Sequence, residues 1–280
     1  MSVMRAFVVI VVVLLASGWA GEDAKAVKVL AQARQALGGE ARLAQVQGLT
    51  ATGQSMRMMP DGGHIGELRL DVQWPDRMLR TDASHGPGSE ATFVMLRGLA
   101  GETLLRKSKI LNGGPGHRMS QPPLIGGSDA TALRHARDEL TRLAIALLLT
   151  PPTSAGVQAA YGGVAESPDG KADVVVFTGA NGFAARVFVE VSSHKPLMMT
   201  WRDFDPRIFV ILPGSPPGAV SAPGTAPVEV TWYLEDYRAA SGLQLPHRIS
   251  RSVSGTPDEE WTIKTFAINP AFKADAFTDR

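Results

Sequence analysis

Apolar and polar residues alternate strictly in two distant stretches of the chain, residues 67–74 and 228–235. A period of two places the apolar side chains on one face of a β-strand and the polar side chains on the other. The apolar face of such strands must be buried against another element. The alternation therefore predicts a β-rich chain whose sheet is exposed to solvent on one side only. The apolar positions are Leu68, Leu70, Val72, Trp74, Val228, Val230, Trp232 and Leu234.

Further strands are predicted along most of the chain, with turn residues between them. Asp61-Gly62-Gly63 and Ala180-Asn181-Gly182 have the composition of tight turns. Residues 111–129 and the proline-rich excursion 213–227 are predicted to be loops. The additional predicted strands are 49–59, 77–81, 91–96, 102–107, 173–178, 186–191, 197–204, 245–253 and 261–266.

Helical periodicity predicts helices over 23–37 and 129–149, and a short helical turn over 40–45. The end of the second long helix, 143–149, is almost wholly apolar, so it must be buried on more than one side. Pro151-Pro152 prevents its continuation. We therefore predict an α+β fold in which the helices pack against the concave side of a curved, mostly antiparallel sheet.

The N-terminal residues have the pattern of a signal peptide. Arg5 precedes an apolar run over 6–16, about half the length that crosses a bilayer, and small residues follow. Cleavage is expected after Ala20, giving a signal peptide over 1–20, or as late as Ala26. An uncleaved N-terminal anchor is the alternative. No arginine pair precedes the run, which favours the general secretory route.

The sequence contains no cysteine, which excludes disulfides, thiolate metal sites and cysteine nucleophiles. It also excludes a lipoprotein acylated on cysteine, so we expect a soluble periplasmic protein with no stable membrane anchor. Residues 21–280 are expected to form a single domain. The 28 basic and 27 acidic residues give a net charge of +1, which does not indicate a nucleic-acid partner.

No catalytic or cofactor-binding motif is recognisable. The six histidines include no pair at the i, i+4 spacing of a helical zinc site, and the sequence lacks a G-x-S-x-G motif. Asp203 with Asp205 and Glu235 with Asp236 are interpreted as solvated strand ends. We therefore expect a protein that is not an enzyme and has no cofactor or metal, with a hydrolase as a distant alternative.

Three stretches resemble the LolA-like group of periplasmic proteins, the outer-membrane lipoprotein-sorting proteins. They are the helix, Gly38-Gly39 and first strand within 24–53, the leucine-rich helix end 147–152, and the C-terminal part. That part carries Asp236-Tyr237-Arg238, then Gly242 to Pro246, Asn269-Pro270 and Phe277. We expect Asp236 to pair with Arg238, and Phe277 to pack the tail onto the domain.

The resemblance implies an unclosed β-barrel, or half-barrel, wrapped over helices around an apolar cavity that holds lipid or lipoprotein acyl chains. The expected function is a periplasmic carrier or binder of such chains. The alternative is a protein-interaction or envelope-stress-sensing module with a filled core and an envelope protein as its partner. The candidate cavity wall is Leu68, Leu70, Val72, Trp74, Met78, Val230 and Trp232, and the candidate plug is Leu143 and Leu147.

Overall fold

A computed structural model describes residues 19–59, 62–85, 91–112, 129–168, 170–205 and 226–278. Within these ranges the chain forms three helices, twelve strands and two short 3-10 turns. The helices are α1 (Trp19–Ala36), α2 (Glu40–Ala44) and α3 (Asp129–Leu148). The strands are β1 (Gly48–Met59), β2 (Gly62–Gln73), β3 (Arg77–His85), β4 (Thr92–Ala100), β5 (Thr103–Leu111), β6 (Gln158–Ser167), β7 (Gly170–Thr178), β8 (Ala184–Glu190), β9 (Pro196–Asp203), β10 (Val228–Ala240), β11 (Leu243–Val253) and β12 (Thr256–Ile268).

All twelve strands belong to one antiparallel sheet in the order β5-β4-β3-β2-β1-β12-β11-β10-β9-β8-β7-β6. Every neighbouring pair is consecutive in sequence except β1 and β12, which join a meander of β1–β5 to a meander of β6–β12. The sheet does not close, since β5 and β6 lie at its two ends. The predicted α+β half-barrel wrapped over helices is therefore confirmed.

Helix α3 connects the two edge strands and lies across the concave face, in contact with β4, β5 and β9. Its side chains from Leu140 to Leu148 are all buried, which confirms that this end packs on more than one side. The helix ends at Leu148, and the next residue, Leu149, has a positive φ of 52° that stops it before the two prolines. Arg34 of α1 donates two hydrogen bonds to the Leu149 carbonyl, at 3.3 and 2.9 Å, and so satisfies a group at the helix end.

The side chain of Asn269 fastens the β1–β12 junction. Its Oδ1 accepts hydrogen bonds from the backbone N–H groups of Gln47 (2.7 Å) and Gly48 (3.2 Å), and its Nδ2 donates to the carbonyl of Gln45 (2.8 Å). Asn269 adopts a positive φ of 50°, which asparagine tolerates better than most residues. These contacts explain why an Asn-Pro pair stands at the end of the last strand.

Two further expectations for the C-terminal part are confirmed. Arg238 donates to both carboxylate oxygens of Asp236, at 2.9 and 2.6 Å. Phe277 is buried on the convex side of the sheet against Leu79 and Leu105, so the tail covers β3 and β5 there.

All of the predicted strands are present, usually with longer bounds, but β6 was not predicted. Its sequence contains Gly162-Gly163 and small residues rather than the branched and aromatic residues typical of strands. The prediction of a turn over Asp61–Gly63 is wrong for Gly62 and Gly63, which lie in β2. Residues 113–128 of one predicted loop and 206–225, which hold most of the proline-rich excursion, lie outside the described residues.

Candidate functional site

The nine candidate cavity residues lie together on the concave side of the half-barrel. Strands β2, β3 and β10 and helix α3 bring them into one apolar cluster. Trp74 is half-buried at the edge of this cluster, and the other eight side chains are at most 3% exposed. The buried members are Leu68, Leu70, Val72, Met78, Leu143, Leu147, Val230 and Trp232.

The side chains of this cluster fill the space between sheet and helix. A cleft of about 620 Å³ lies instead on the polar side of α3, where it is lined by groups such as Asp76, Arg134 and Asp138 together with Leu140 and Phe183. Of the nine candidate residues, none lines this cleft. Contact of these nine residues with an acyl chain therefore stays a prediction, and it requires α3 to move.

A cluster of charged side chains interrupts the apolar concave face. Arg80 is 1% exposed and binds Glu259 (2.5 Å) and Asp82 (2.6 Å), while Arg251 binds Glu259 (3.3 Å) and Asp258 (2.5 Å). Burial opposes ionisation, but the charges of Arg80 and Arg251 hold the pKa of Glu259 well below its ordinary value. Glu259 is therefore ionised inside the protein at neutral pH.

The sequence does not predict this cluster, because charged residues within alternating strands are typical of the solvated face. One signal was available, since Arg80 and Asp82 follow Met78 at a spacing of two, and Met78 was a candidate core residue. Alternation of side chains along β3 places all three on the same face. An inward charge on such a strand needs a partner on a neighbouring element, which a single sequence does not identify.

A second polar cluster fastens α3 to the end of β9. Asp203 accepts from His135 (3.3 Å) and binds Arg142 (3.1 Å). Burial acts against it, yet His135 and Arg142 keep the pKa of Asp203 below its ordinary value. Burial raises the pKa of the neighbouring Asp138. The interpretation of Asp203 as a solvated strand end is therefore wrong, because this carboxylate faces the helix.

A row of indole rings connects the two polar clusters across the sheet. Trp201 contacts Trp232 with ring centroids 5.1 Å apart, and Trp232 contacts Trp261 at 5.8 Å. The guanidinium carbon of Arg142 lies 4.8 Å from the Trp201 ring centroid, and that of Arg80 lies 4.7 Å from that of Trp261. Cation–π contacts of this kind stabilise charged groups that have left water.

Solved structures of known proteins share this architecture. A LolA superfamily protein from Nitrosomonas europaea matches with a TM-score of 0.50 and 11% identity, over 90% of this chain and 97% of that one. A putative outer membrane lipoprotein-sorting protein domain from Vibrio parahaemolyticus matches with a TM-score of 0.50 and 12% identity, over the same shares. The chain has the LolA-like fold. The resemblance noted in the sequence is thus confirmed for the fold.

Comparison of the sequence itself gives no match to a family model or to a curated protein. Within the described ranges, no three His, Asp or Glu side chains are grouped so that they could hold a metal ion. No helix in the same ranges is long and apolar enough to cross a membrane. The features of the concave side are therefore one apolar cluster and two polar clusters.

Proposed function

We propose that the protein is a periplasmic carrier or binder of lipid or lipoprotein acyl chains. The similar structure from Vibrio parahaemolyticus is a putative outer membrane lipoprotein-sorting protein domain, which supports this proposal. One observation carries the proposal: an unclosed sheet holds an apolar cluster on its concave face, to which α1 and α2 contribute side chains, and α3 lies across that cluster between the two edges of the sheet. Each CH₂ group of an acyl chain that entered would contribute about 0.8 kcal/mol.

The construction of α3 supports entry of a chain between helix and sheet. Its first half is fastened by polar contacts, including Arg137 to Glu102, and Asp129 lies 3.9 Å from Arg106. Exposed ion pairs of this kind contribute only about 0–1 kcal/mol each, since water replaces them readily. We propose that the helix opens first from its N-terminal end, and that an entering chain then displaces its apolar end from the sheet.

The start of the chain is included in the proposal. We propose export by the general secretory route and cleavage after Ala20 rather than after Ala26. Ala26 lies within α1 and is fully buried in the apolar cluster, so the later cleavage would remove a residue of the core. Cleavage after Ala20 would leave one mature domain, 21–280. Sequencing of the mature N-terminus in an exporting host tests this choice.

Native mass spectrometry of protein purified from the periplasm tests the carrier function. The expected result is a set of masses above that of the polypeptide, which delipidation removes and a fluorescent fatty acid restores with saturable binding. A single mass equal to the polypeptide, together with no uptake of the fatty acid, would overturn the proposal. Val164→Gln, an exposed apolar position on β6, is the control that should bind normally.

The complete packing of the apolar cluster favours a second candidate function. A concave face filled by its own side chains, such as Val72 and Leu143, is also the core of a protein-interaction or envelope-stress-sensing module. That reading predicts a polypeptide partner that copurifies with the protein and no exchange of lipid. The mass measurement above separates the two functions, because it detects protein and lipid partners alike.

A further inference from the structure

Three arginines form a row across the concave face near one edge of the sheet. In the strand register, Arg80 of β3 lies directly opposite Arg97 of β4, and Arg97 lies directly opposite Arg106 of β5. Directly opposed residues of antiparallel strands have Cβ atoms only about 5 Å apart, and like charges in such positions repel one another. A row of three guanidinium groups therefore needs negative charge beside it.

The three arginines are neutralised unequally. Arg80 binds Glu259 and Asp82, and Arg106 lies 3.9 Å from Asp129. Arg97 is half-buried, and its Nε and Nη2 are shielded from solvent without a hydrogen-bond partner among the described residues. Burial and the charge of Arg80 lower the pKa of Arg97.

The two unpartnered nitrogens point to the chemistry of the missing partner. Nε and Nη2 form one edge of the guanidinium group, and two parallel donors on such an edge match two oxygens of a carboxylate or phosphate. The carboxylates of Glu139, Asp82 and Glu259 attract Arg97 from a distance. Glu139 belongs to α3, so its contribution falls when the helix moves away from the sheet.

The surface beside Arg97 is apolar in both directions along β4. On one side Leu99 is buried in the main cluster. On the other side Met95 and Phe93 lie on the same face of the strand and are half-buried. A ligand whose charge lies at Arg97 thus finds apolar surface on both sides for an alkyl chain.

We propose that Arg97 binds the anionic group, a carboxylate or a phosphate, of an amphiphile whose alkyl chain enters the apolar cluster. This inference rests on the proposed function, and it adds the ligand class: anionic rather than neutral or cationic lipids. When α3 opens, the anion takes the place of Glu139 as the counter-charge of Arg97. Fatty acids and phospholipids both carry such a group.

Calorimetric titration with four probes tests the proposal, namely dodecanoate, dodecyl phosphate, dodecanol and dodecyltrimethylammonium. The full mature protein should bind the two anions at least about tenfold more tightly than dodecanol, because charge-assisted bidentate hydrogen bonds are the strong class. Dodecyltrimethylammonium should bind more weakly than dodecanol. The stronger of the two anions identifies the source, a fatty acid or a phospholipid.

Arg97→Gln should abolish the preference for anions and leave the affinity for dodecanol within about twofold of the unchanged protein. Arg97→Lys, which keeps the charge but loses the paired donors, should retain part of the preference. The control is Arg186→Gln, at an exposed position on β8, and it should change nothing. A cooperative thermal unfolding transition checks that each variant is folded. Arg97→Gln should be no less stable than the unchanged protein, because the substitution removes a poorly compensated charge.

Equal binding of dodecanol and the anions would overturn the role of Arg97 and leave the carrier function standing. A preference for anions that survives in Arg97→Gln would overturn it as well. Binding of none of the four probes would overturn the role of Arg97 and the carrier function together.

Discussion

The charged side chains inside the half-barrel have a larger effect on stability than their number suggests. Glu259 is 3% exposed, and Arg57, Arg80 and Arg251 all bind its carboxylate, at 2.5–3.3 Å. Removal of one partner from a buried ion pair leaves the other charge without compensation, which typically costs about 3–5 kcal/mol. Single residues of this cluster therefore decide whether the concave face keeps its shape.

Glu259→Gln is expected to lower the free energy of unfolding at neutral pH by about 3–5 kcal/mol. The ionised carboxylate stabilises the native state above about pH 4.5, and this contribution is lost as the pH falls through the lowered pKa of Glu259. The variant should therefore lose less stability than the unchanged protein on acidification. Urea unfolding at a series of pH values from neutral to strongly acidic measures both effects.

Glu235→Gln is the matched control for this measurement. Glu235 is exposed and lies 3.5 Å from Arg248, so its loss should cost no more than about 1 kcal/mol. Equal losses of unfolding free energy in the two variants would contradict the assignment of Glu259 as a buried counter-charge. So would a loss of stability on acidification that is as large in Glu259→Gln as in the unchanged protein.

Among the elements, α3 has the most direct connection with function, because it occupies the surface that an acyl chain would use. Under the proposed function, its apolar end competes with the ligand for the same concave wall. A change that weakens the packing of α3 against the sheet should therefore destabilise the protein and strengthen ligand binding at once. These opposite effects distinguish competition from a separate, preformed pocket.

Leu143→Ala should lower the free energy of unfolding by about 2–5 kcal/mol, since Leu143 is 1% exposed in the core. The same variant should bind a fluorescent fatty acid more tightly, by about 5- to 70-fold if half of that energy opposes binding in the unchanged protein. Leu111→Ala, at a half-exposed position at the end of β5, should change neither quantity. Weaker binding in Leu143→Ala would contradict the competition.

The junction of β1 with β12 is the element-scale feature that holds the two meanders together. Asn269→Ala should lower the free energy of unfolding by about 2–4 kcal/mol, because three hydrogen bonds and a residue suited to positive φ are lost. Asn181→Ala is the matched control. Asn181 also has a positive φ, of 56°, but it lies in an exposed turn.

Chemical unfolding of both variants separates the two contributions. Asn181→Ala should lose only the backbone contribution, about 1 kcal/mol. A loss in Asn269→Ala that is no larger than in Asn181→Ala would show that the side-chain hydrogen bonds do not hold the junction.

Sequence patterns predicted those helices and strands that have one buried face and one face exposed to solvent. Strand β2 is the clearest case, since its buried Leu68, Leu70 and Val72 are spaced by two. Strand β6 escaped prediction because it is an edge strand, and Gly162 stands where a Cβ would lie 2.7 Å from Val176. Its identity depends on its neighbour β7 and on helix α1, which packs against it, and local propensity does not contain that information.

At the scale of the whole molecule, the fold was predictable and the filling of its interior was not. Alternation and turn residues predict a curved antiparallel sheet with helices on its concave side, and the resemblance to LolA-like proteins implies that this sheet is an unclosed barrel. The volume left inside it depends on how Leu147, Met78 and Trp232 interdigitate, which only the packed structure shows. The buried charges were unpredictable for a related reason, because Arg80 and Glu259 are 179 residues apart in sequence.

We propose above all that an acyl chain enters the concave interior between α3 and the sheet. The most direct test is photo-crosslinking with a fatty acid that carries a diazirine near the end of its chain, followed by peptide mass mapping. We predict adducts on the inner residues of β2, β10 and α3, in the neighbourhood of Leu70, Trp232 and Leu147, and their loss when excess unlabelled fatty acid is present. Adducts confined to the convex face, or adducts that excess fatty acid does not displace, would contradict the account.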